Sequence, residues 1–305
     1  LGFHYNPVAF LFLGRLIRRH AVDLVLTNIQ KEVIAGGLAA KIARIPNIRR
    51  VGTSRDFRNS LRFRIHQQCL VRRNIVPCRT MVREIREHSP WAREEDFSVI
   101  YNGKKVPEFS SHQVREQRKA WGAGSEDLVI GTTSQLSRTK AVDGIIRVFG
   151  RLSREFPRLF LVITGEGPEK ENLISQARES GVADRISFAG FTRTPLLSAA
   201  GYDISVFNST FEGFPNTVVE FLAAGSPVIS SRVNGIHEII REQENGLLFD
   251  AGDEVAFCDK LRCIIEDSGL RKKFSKKGRA TVQEHFSLEG MVNRVETLFT
   301  GAAGE

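Results

Sequence analysis

Residues 203–227 read Asp203-Ile204-Ser205-Val206-Phe207-Asn208-Ser209-Thr210-Phe211-Glu212-Gly213-Phe214-Pro215-Asn216-Thr217-Val218-Val219-Glu220-Phe221-Leu222-Ala223-Ala224-Gly225-Ser226-Pro227. A short apolar run leads into a polar loop, then Pro215 opens a helical stretch closed by Gly225, and a new apolar run starts at 227. Continuous apolar strands separated by helices belong to parallel sheets covered on both faces. The same alternation extends outward. Strand-like runs occupy 127–133, 159–164, 185–189, 203–207, 227–230 and 246–249, with amphipathic helices between them such as 142–155, which carries Val142, Ile145, Ile146, Val148 and Phe149. In the first third, runs at 22–27, 48–53, 74–77 and 97–101 alternate with helical stretches at about 8–20, 30–44, 57–73 and 79–89. Between the two blocks lies a polar, weakly patterned segment, 103–125, that reads as a linker. A chain of 305 residues fits two domains, each of about 150 residues. The expected fold is therefore α/β, two doubly wound parallel-sheet domains facing a cleft, with ligands beyond the carboxyl ends of the strands.

Composition narrows the class. Hydrophobic residues at 41% and charged residues at 26% exclude disorder and fibrous folds. The longest clean apolar run, Val8 to Leu13, is far short of a membrane span. Cys69, Cys78, Cys258 and Cys263 show no CxxC spacing and no histidine cluster, which predicts reduced thiols in a cytoplasmic protein and no metal site. The net charge of +9 is unevenly placed: residues 1–100 hold 18 basic and 8 acidic residues, and the rest is close to neutral. Nine arginines fall within 44–73 (Arg44, Arg49, Arg50, Arg55, Arg58, Arg62, Arg64, Arg72, Arg73) against the single acid Asp56. A guanidinium fork suits phosphate, so an anionic partner is expected for this region. Only Phe57 and Phe63 interleave it and no nucleic-acid module is present, so nucleic acid is not the expected partner.

Chemistry is expected where strands end and helices begin. Thr164-Gly165-Glu166-Gly167-Pro168 follows the strand at 159–164; glycines there let backbone approach a ligand closely, although a plain strand-to-helix turn would look the same. Ser134-Gln135-Leu136-Ser137-Arg138-Thr139-Lys140 follows the strand at 127–133 and carries two cations suited to a diphosphate. The segment 211–227 is the most informative. Asn216 or Thr217 is expected to cap a helix whose first N–H groups face an anion, with Glu220 in its first turn. Glu212 in the loop and Glu220 on the helix can accept hydrogen bonds from two sets of hydroxyls, as a sugar nucleotide presents on either side of its diphosphate. A capping box, Thr217-x-x-Glu220, would account for Glu220 but not for Glu212.

This segment resembles the E-x7-E motif of retaining glycosyltransferases of family 4, which have the GT-B fold of two Rossmann-like domains. The surroundings are similar too: Gly165-Glu166-Gly167, Phe188-Ala189-Gly190-Phe191, Asp203, Gly225-x-Pro227, Gly235-Ile236-His237-Glu238-Ile239 and Glu244-Asn245-Gly246-Leu247-Leu248. The resemblance spans about 100–300, with a weaker likeness over 22–102 that includes Val99-Ile100-Tyr101-Asn102-Gly103. It implies an N-terminal acceptor-side domain over 1–108, a C-terminal nucleotide-sugar domain over 109–286, and a final helix, 287–305, returning to the first. It implies sugar transfer from a nucleotide-diphosphate-sugar to a hydroxyl with retention of configuration, no cofactor and no metal. By motif position Glu220 would hold the ribose hydroxyls, Glu212 the donor-sugar hydroxyls, the backbone of Gly213, Phe214, Pro215, Asn216 and Thr217 the phosphate and sugar, Lys140 the diphosphate, and Phe191 the base.

Three departures are visible. Gln135 stands where the family often has arginine, with Arg138 as a substitute charge. Thr53-Ser54-Arg55 puts a guanidinium on the acceptor or phosphate side where many members carry histidine. The N-terminal domain is expected to be incomplete, about two βα units short before residue 22. A nucleotide-sugar-binding protein without transferase activity is the alternative these departures leave open. Enzymes of this kind that build lipopolysaccharide or other surface polysaccharide act on glycan or lipid-linked acceptors. The Arg-rich 44–73 region is accordingly expected to hold the chain peripherally on the anionic cytoplasmic face of the inner membrane.

Overall fold

A computed structural model describes the backbone of residues 7–304. The chain divides into two compact units, one running to Gly103 and resuming at Leu288, the other Lys104–Ser287. Both are parallel α/β units, and all strand pairs are parallel.

The first unit comprises α1 (Pro7–Arg19), β1 (Val25–Thr27), α2 (Gln30–Ala43), β2 (Asn47–Arg50), α3 (Leu61–Leu70), β3 (Arg73–Val76), α4 (Arg79–His88) and β4 (Phe97–Val99), in sheet order β1-β2-β3-β4. The helix expected at 57–73 is shorter. A 3-10 turn, Ser54–Asp56, intervenes, and Ser60 caps α3 by accepting from the Phe63 N–H at 3.3 Å. Of the nine arginines in 44–73, Arg49 does not belong to an anion-facing surface: it is 1% exposed. Its guanidinium donates to the carbonyls of Asn28 (3.3 Å) and Asp56 (3.1 Å) and lies over the rings of Phe57 and Phe63. Burial pushes Arg49 down to about 10, opposed by Asp56, so it stays charged at neutral pH. Seven of the other eight are exposed and Arg73 is half-buried.

The second unit begins with α5 (Ser111–Trp121), inside the segment expected to be a linker. Then follow β5 (Leu128–Thr133), α6 (Val142–Leu152), β6 (Leu159–Thr164), α7 (Lys170–Glu179), β7 (Ile186–Gly190), α8 (Pro195–Gly201), β8 (Ile204–Phe207), α9 (Asn216–Ala224), β9 (Val228–Ser231), β10 (Gly246–Phe249), α10 (Glu254–Glu266) and α11 (Ser268–His285). Its sheet runs β10-β9-β8-β5-β6-β7. Strand side chains such as Ile130, Leu161 and Ile204 pack with Phe149 of α6, Phe257 of α10 and Phe274 of α11, all buried. Each such side chain contributes about 1.5–3 kcal/mol. α5 is anchored rather than striped: Trp121 stacks on Tyr202 at 5.3 Å, Arg118 pairs with Asp203, and Asp203 also accepts from the Val129 N–H at 2.8 Å. Asp203 thus fastens the amino end of β8 and lies away from the strand ends where chemistry is expected. The final helix, α12 (Leu288–Gly304), belongs to the first unit, where Met291, Val295, Leu298 and Phe299 pack against Ile48, Ile75 and Ile100.

Candidate functional site

In the second unit the chain winds from β5 through β6 to β7 on one side, then crosses to β8 on the other side of β5. Neighbouring loops diverge there, so the crevice beyond the carboxyl ends of β5 and β8 is the natural ligand position of an open parallel sheet. The loop after β5 supplies Lys140, on the 3-10 turn Arg138–Lys140, and the loop after β8 supplies Glu212. The structure brings them together as an ion pair with both side chains largely buried. The Lys140 ammonium also lies 5.7 Å from the Phe207 ring centroid.

This meeting is held by backbone. Thr139 C=O accepts from the N–H of Thr210 (2.8 Å) and the hydroxyl of Ser209 (3.0 Å), and Asn208 donates to the Ala141 carbonyl at 2.8 Å. Ser209 is in turn fixed by Ser231, which accepts from its N–H at 2.9 Å and donates to its carbonyl at 2.7 Å. Ala141 takes φ +42° between the turn and α6, a conformation unfavourable for an L-residue that persists only where surrounding contacts enforce it. Nothing in the spacing of Asn208, Ser209 and Ser231 marked them; their strand-end positions were the available signal.

Helix α9 starts at Asn216, with Pro215 at the cap position and no side-chain cap. The expectation that Asn216 or Thr217 caps it is therefore corrected. Pro215 lacks an N–H and pre-sets the entering backbone, so both polar residues fall inside the first turn. Glu220 is the fifth helical residue, beyond that turn, and no capping box forms. Its carboxylate instead accepts from Lys104 Nζ at 2.5 Å. Lys104 was missed from the sequence. It directly follows the Asn102-Gly103 pair and is fixed by its own N–H donating to the Phe286 carbonyl at 2.8 Å. Phe214 is buried against Phe286, with ring centroids 6.2 Å apart, and anchors the loop, while Gly213 precedes it in half-buried backbone.

The remaining sequence-predicted positions are less concentrated. Gly165 and Gly167 let the loop after β6 touch the loop after β5: a Cβ on Gly165 would lie 1.8 Å from the Ser134 carbonyl oxygen, and one on Gly167 2.2 Å from that of Leu136. The close approach these glycines permit is thus loop to loop. Leu136 N–H donates to the Glu166 carbonyl at 2.9 Å, and Glu169 N–H to the Leu136 carbonyl at 3.0 Å. Gln135 is exposed on this loop. Arg138 has a side chain 90% exposed with one contact to Glu169 at 3.3 Å, so it is not drawn into the Lys140–Glu212 pair. Phe191 is exposed just beyond β7. Arg55 lies in the first unit on its own 3-10 turn. The Glu244-Asn245-Gly246 segment is architectural: buried Asn245 accepts from the Arg241 N–H (2.8 Å) and donates to Ile239 C=O (3.0 Å) and the Thr281 hydroxyl (3.1 Å). Among the described residues no cluster of three or more His, Cys, Asp or Glu is arranged to hold a metal ion, and no helix is long and apolar enough to cross a membrane.

Two parallel α/β units, one with a lysine–carboxylate site at its topological switch point, define the GT-B class of fold. Residues 113–281 match the family Glycosyl transferases group 1, and the chain belongs to that family. It is similar to the lipopolysaccharide core biosynthesis glycosyltransferase LpsD of Rhizobium meliloti, 27% identical over 94% of this chain and 80% of that protein. It is also similar to the N-acetyl-alpha-D-glucosaminyl L-malate synthase of Bacillus anthracis, 24% identical over 82% of this chain and 64% of that one, so the chain spans just under two thirds of that relative. Anabaena HepE, solved with UDP, shares the fold at TM-score 0.85 and 21% identity, over 95% of this chain and 82% of HepE; it has also been solved with UDP-glucose.

Proposed function

We propose that the chain is a retaining, metal-independent glycosyltransferase of the family 4 kind. It would move a sugar from a nucleotide-diphosphate donor, with UDP favoured as the nucleotide, to a hydroxyl of a glycan or lipid-linked acceptor in bacterial surface polysaccharide or lipopolysaccharide synthesis. The observation that carries this reading is the convergence of Lys140 and Glu212 at the switch point, with Glu212 in the loop that leads directly into the N-terminus of α9. Cation, carboxylate and helix dipole there match diphosphate, hydroxyl and phosphate of one ligand. The UDP-bound neighbour and the relatives named for sugar transfer support it.

In this reading Lys140 and the N-terminus of α9 stabilise the charge that grows on the leaving nucleoside diphosphate, the role a metal has in other transferases. Glu212 accepts from donor-sugar hydroxyls and Glu220 from ribose hydroxyls. The backbone of Gly213 to Thr217 faces phosphate and sugar. Gly165, Gly167, Gln135 and Arg138 border the donor, and Phe191 covers the base. The leaving phosphate assists in taking the acceptor proton, so neither glutamate serves as a covalent nucleophile. The first unit provides the acceptor side, with Arg55 placed to meet phosphate; its guanidinium cannot act as a base.

Thermal unfolding with UDP-, GDP-, ADP- and CMP-sugars tests the donor site. A donor at 100 times its Kd adds about 2.7 kcal/mol of stability, and the shift should be specific to one nucleotide, lost in Glu220→Ala, and followed by transfer that persists in EDTA. No shift with any donor would sink the reading. A shift without transfer to any glycan or lipid-linked acceptor would favour a nucleotide-sugar-binding protein.

The exposed arginines of 44–73 and the exposed Val8, Leu11 and Phe12 of α1 support peripheral binding to an anionic cytoplasmic membrane face. Each basic residue near such a surface is worth about 1 kcal/mol. Co-sedimentation with phosphatidylglycerol vesicles should be strong at low salt and fall steeply as salt rises; equal pelleting with neutral vesicles would count against it.

A further inference from the structure

The first unit holds a cavity that the proposed transfer does not use. It lies at the amino ends of β2, β3 and β4, opposite the strand ends that lead to Arg55, and encloses about 680 Å³, within the range of small-molecule sites. None of its residues belongs to the unit carrying Lys140, Glu212 and Glu220.

Its inner wall is polar and unmet. Gln67 is 4% exposed, and neither its amide nitrogen nor its amide oxygen has a hydrogen-bond partner. Asn74, equally buried, donates to the Asp96 carbonyl at 3.3 Å while its Oδ1 is unpaired, and the indole Nε1 of Trp91 is unpaired as well. A buried polar group without a partner costs roughly 1–3 kcal/mol, so four such atoms, on three side chains around one cavity, point to hydrogen bonds completed by a bound molecule. The unmet set holds two donors and two acceptors. A hydroxyl both donates and accepts, so a polyol matches it. Trp91 stacks on Phe57 at 5.5 Å and 23°, giving an apolar wall suited to the C–H face of a sugar ring. The exposed rim is cationic, with Lys41, Arg64 and Arg72; the acid on the wall, Asp96, is paired with Arg93.

We propose that this cavity is a second small-molecule site, taking a phosphorylated monosaccharide with its hydroxyls on Gln67, Asn74 and Trp91 and its phosphate at the cationic rim. Cys69 lines the cavity and is exposed, while Cys263, also exposed, lies in the other unit as an internal reference. Thiol labelling read by mass spectrometry therefore reports occupancy. Glucose 6-phosphate at about four times its Kd should slow labelling of Cys69 about fivefold and leave Cys263 unchanged, with inorganic phosphate and free glucose protecting far less. Lys41→Ala and Arg64→Ala, both at exposed positions, should each raise the half-protecting concentration about tenfold by removing one charge-assisted contact. Gln67→Leu should abolish protection, and the rim variants decide the matter if that core variant does not fold. Glu220→Ala should leave protection intact. The proposal fails if none of glucose 1-phosphate, glucose 6-phosphate and galactose 6-phosphate protects Cys69. It fails equally if inorganic phosphate protects as well as they do, or if protection vanishes in Glu220→Ala, which would assign it to the donor site.

Discussion

Replacing Lys140 by alanine is expected to lower sugar transfer by about two to three orders of magnitude, the usual loss on removing one preorganised group aimed at developing charge. The lysine is held in position: Glu212 holds its ammonium, and the Thr139 carbonyl ties its loop to Thr210 and Ser209. Transition-state stabilisation of this kind requires no reorganisation, so the loss should appear in kcat as well as in donor binding. Folding should survive, because the pair is at the surface of the crevice rather than within the core. Leaving Glu212 without its cation costs about 1–3 kcal/mol. Lys140→Arg, which keeps the charge but changes its shape, should recover part of the loss. Steady-state transfer with the donor that stabilises the chain, alongside melting curves of both variants, measures this. An unchanged kcat in Lys140→Ala would remove Lys140 from the reaction.

Both glutamates of the motif are neutralised by lysines remote in sequence, Glu212 by Lys140 and Glu220 by Lys104. On the proposed reading, the arrangement would solve a charge problem. Two bare carboxylates would repel the donor's diphosphate, whereas two lysine–carboxylate pairs present no net charge to it and keep both cations in place.

Strands such as β6, β8 and β10 were legible because each is a short apolar run buried on both faces, which leaves no polar alternation to confuse the pattern; β2, Asn47-Ile48-Arg49-Arg50, was legible from its place in the strand–helix alternation. Helix α5 was not: it buries Trp121 but presents polar side chains on nearly every other position, so the periodicity that marks a helix is missing and its cap, Ser110 with Gln113, was the remaining signal. The fate of Arg49 was equally hidden. In an arginine-rich stretch one side chain turns inward to satisfy two carbonyls that the backbone leaves unpaired, a matter of tertiary position rather than of local sequence. The motif spacing singled out Glu212 and Glu220, and the strand-end loop singled out Lys140, which the structure pairs with Glu212. Lys104 was not singled out, since its partner is 116 residues away and nothing local links them. The helix start was misplaced by one residue because Asn and Thr are good caps in isolation, while Pro215 before them had already set the entering conformation.

Substituting Gly165 with alanine should destabilise the second unit more than any conservative change at the site. Two effects combine there. The backbone stands at φ +138°, where an L-residue is strained by roughly 1–3 kcal/mol. The new Cβ would lie 1.8 Å from the Ser134 carbonyl oxygen, and that atom belongs to backbone held by the Ser134 N–H bond to Thr164 C=O at 3.0 Å. No side-chain rotation relieves the overlap, so the loops after β5 and β6 must separate, adding about 1–3 kcal/mol. Gly252→Ala is the internal comparison: φ is +89° with nothing within 4 Å of the added Cβ, so it carries conformational strain alone, about 1–2 kcal/mol. Chemical denaturation of both variants should show Gly165→Ala the less stable by about 1–3 kcal/mol. Because the displaced loop also carries Lys140, Gly165→Ala should lose nucleotide-dependent stabilisation even at temperatures where it remains folded. Equal stability of the two variants would mean that the loops are not in contact, and the ordering of Lys140 by its neighbours would then need another source.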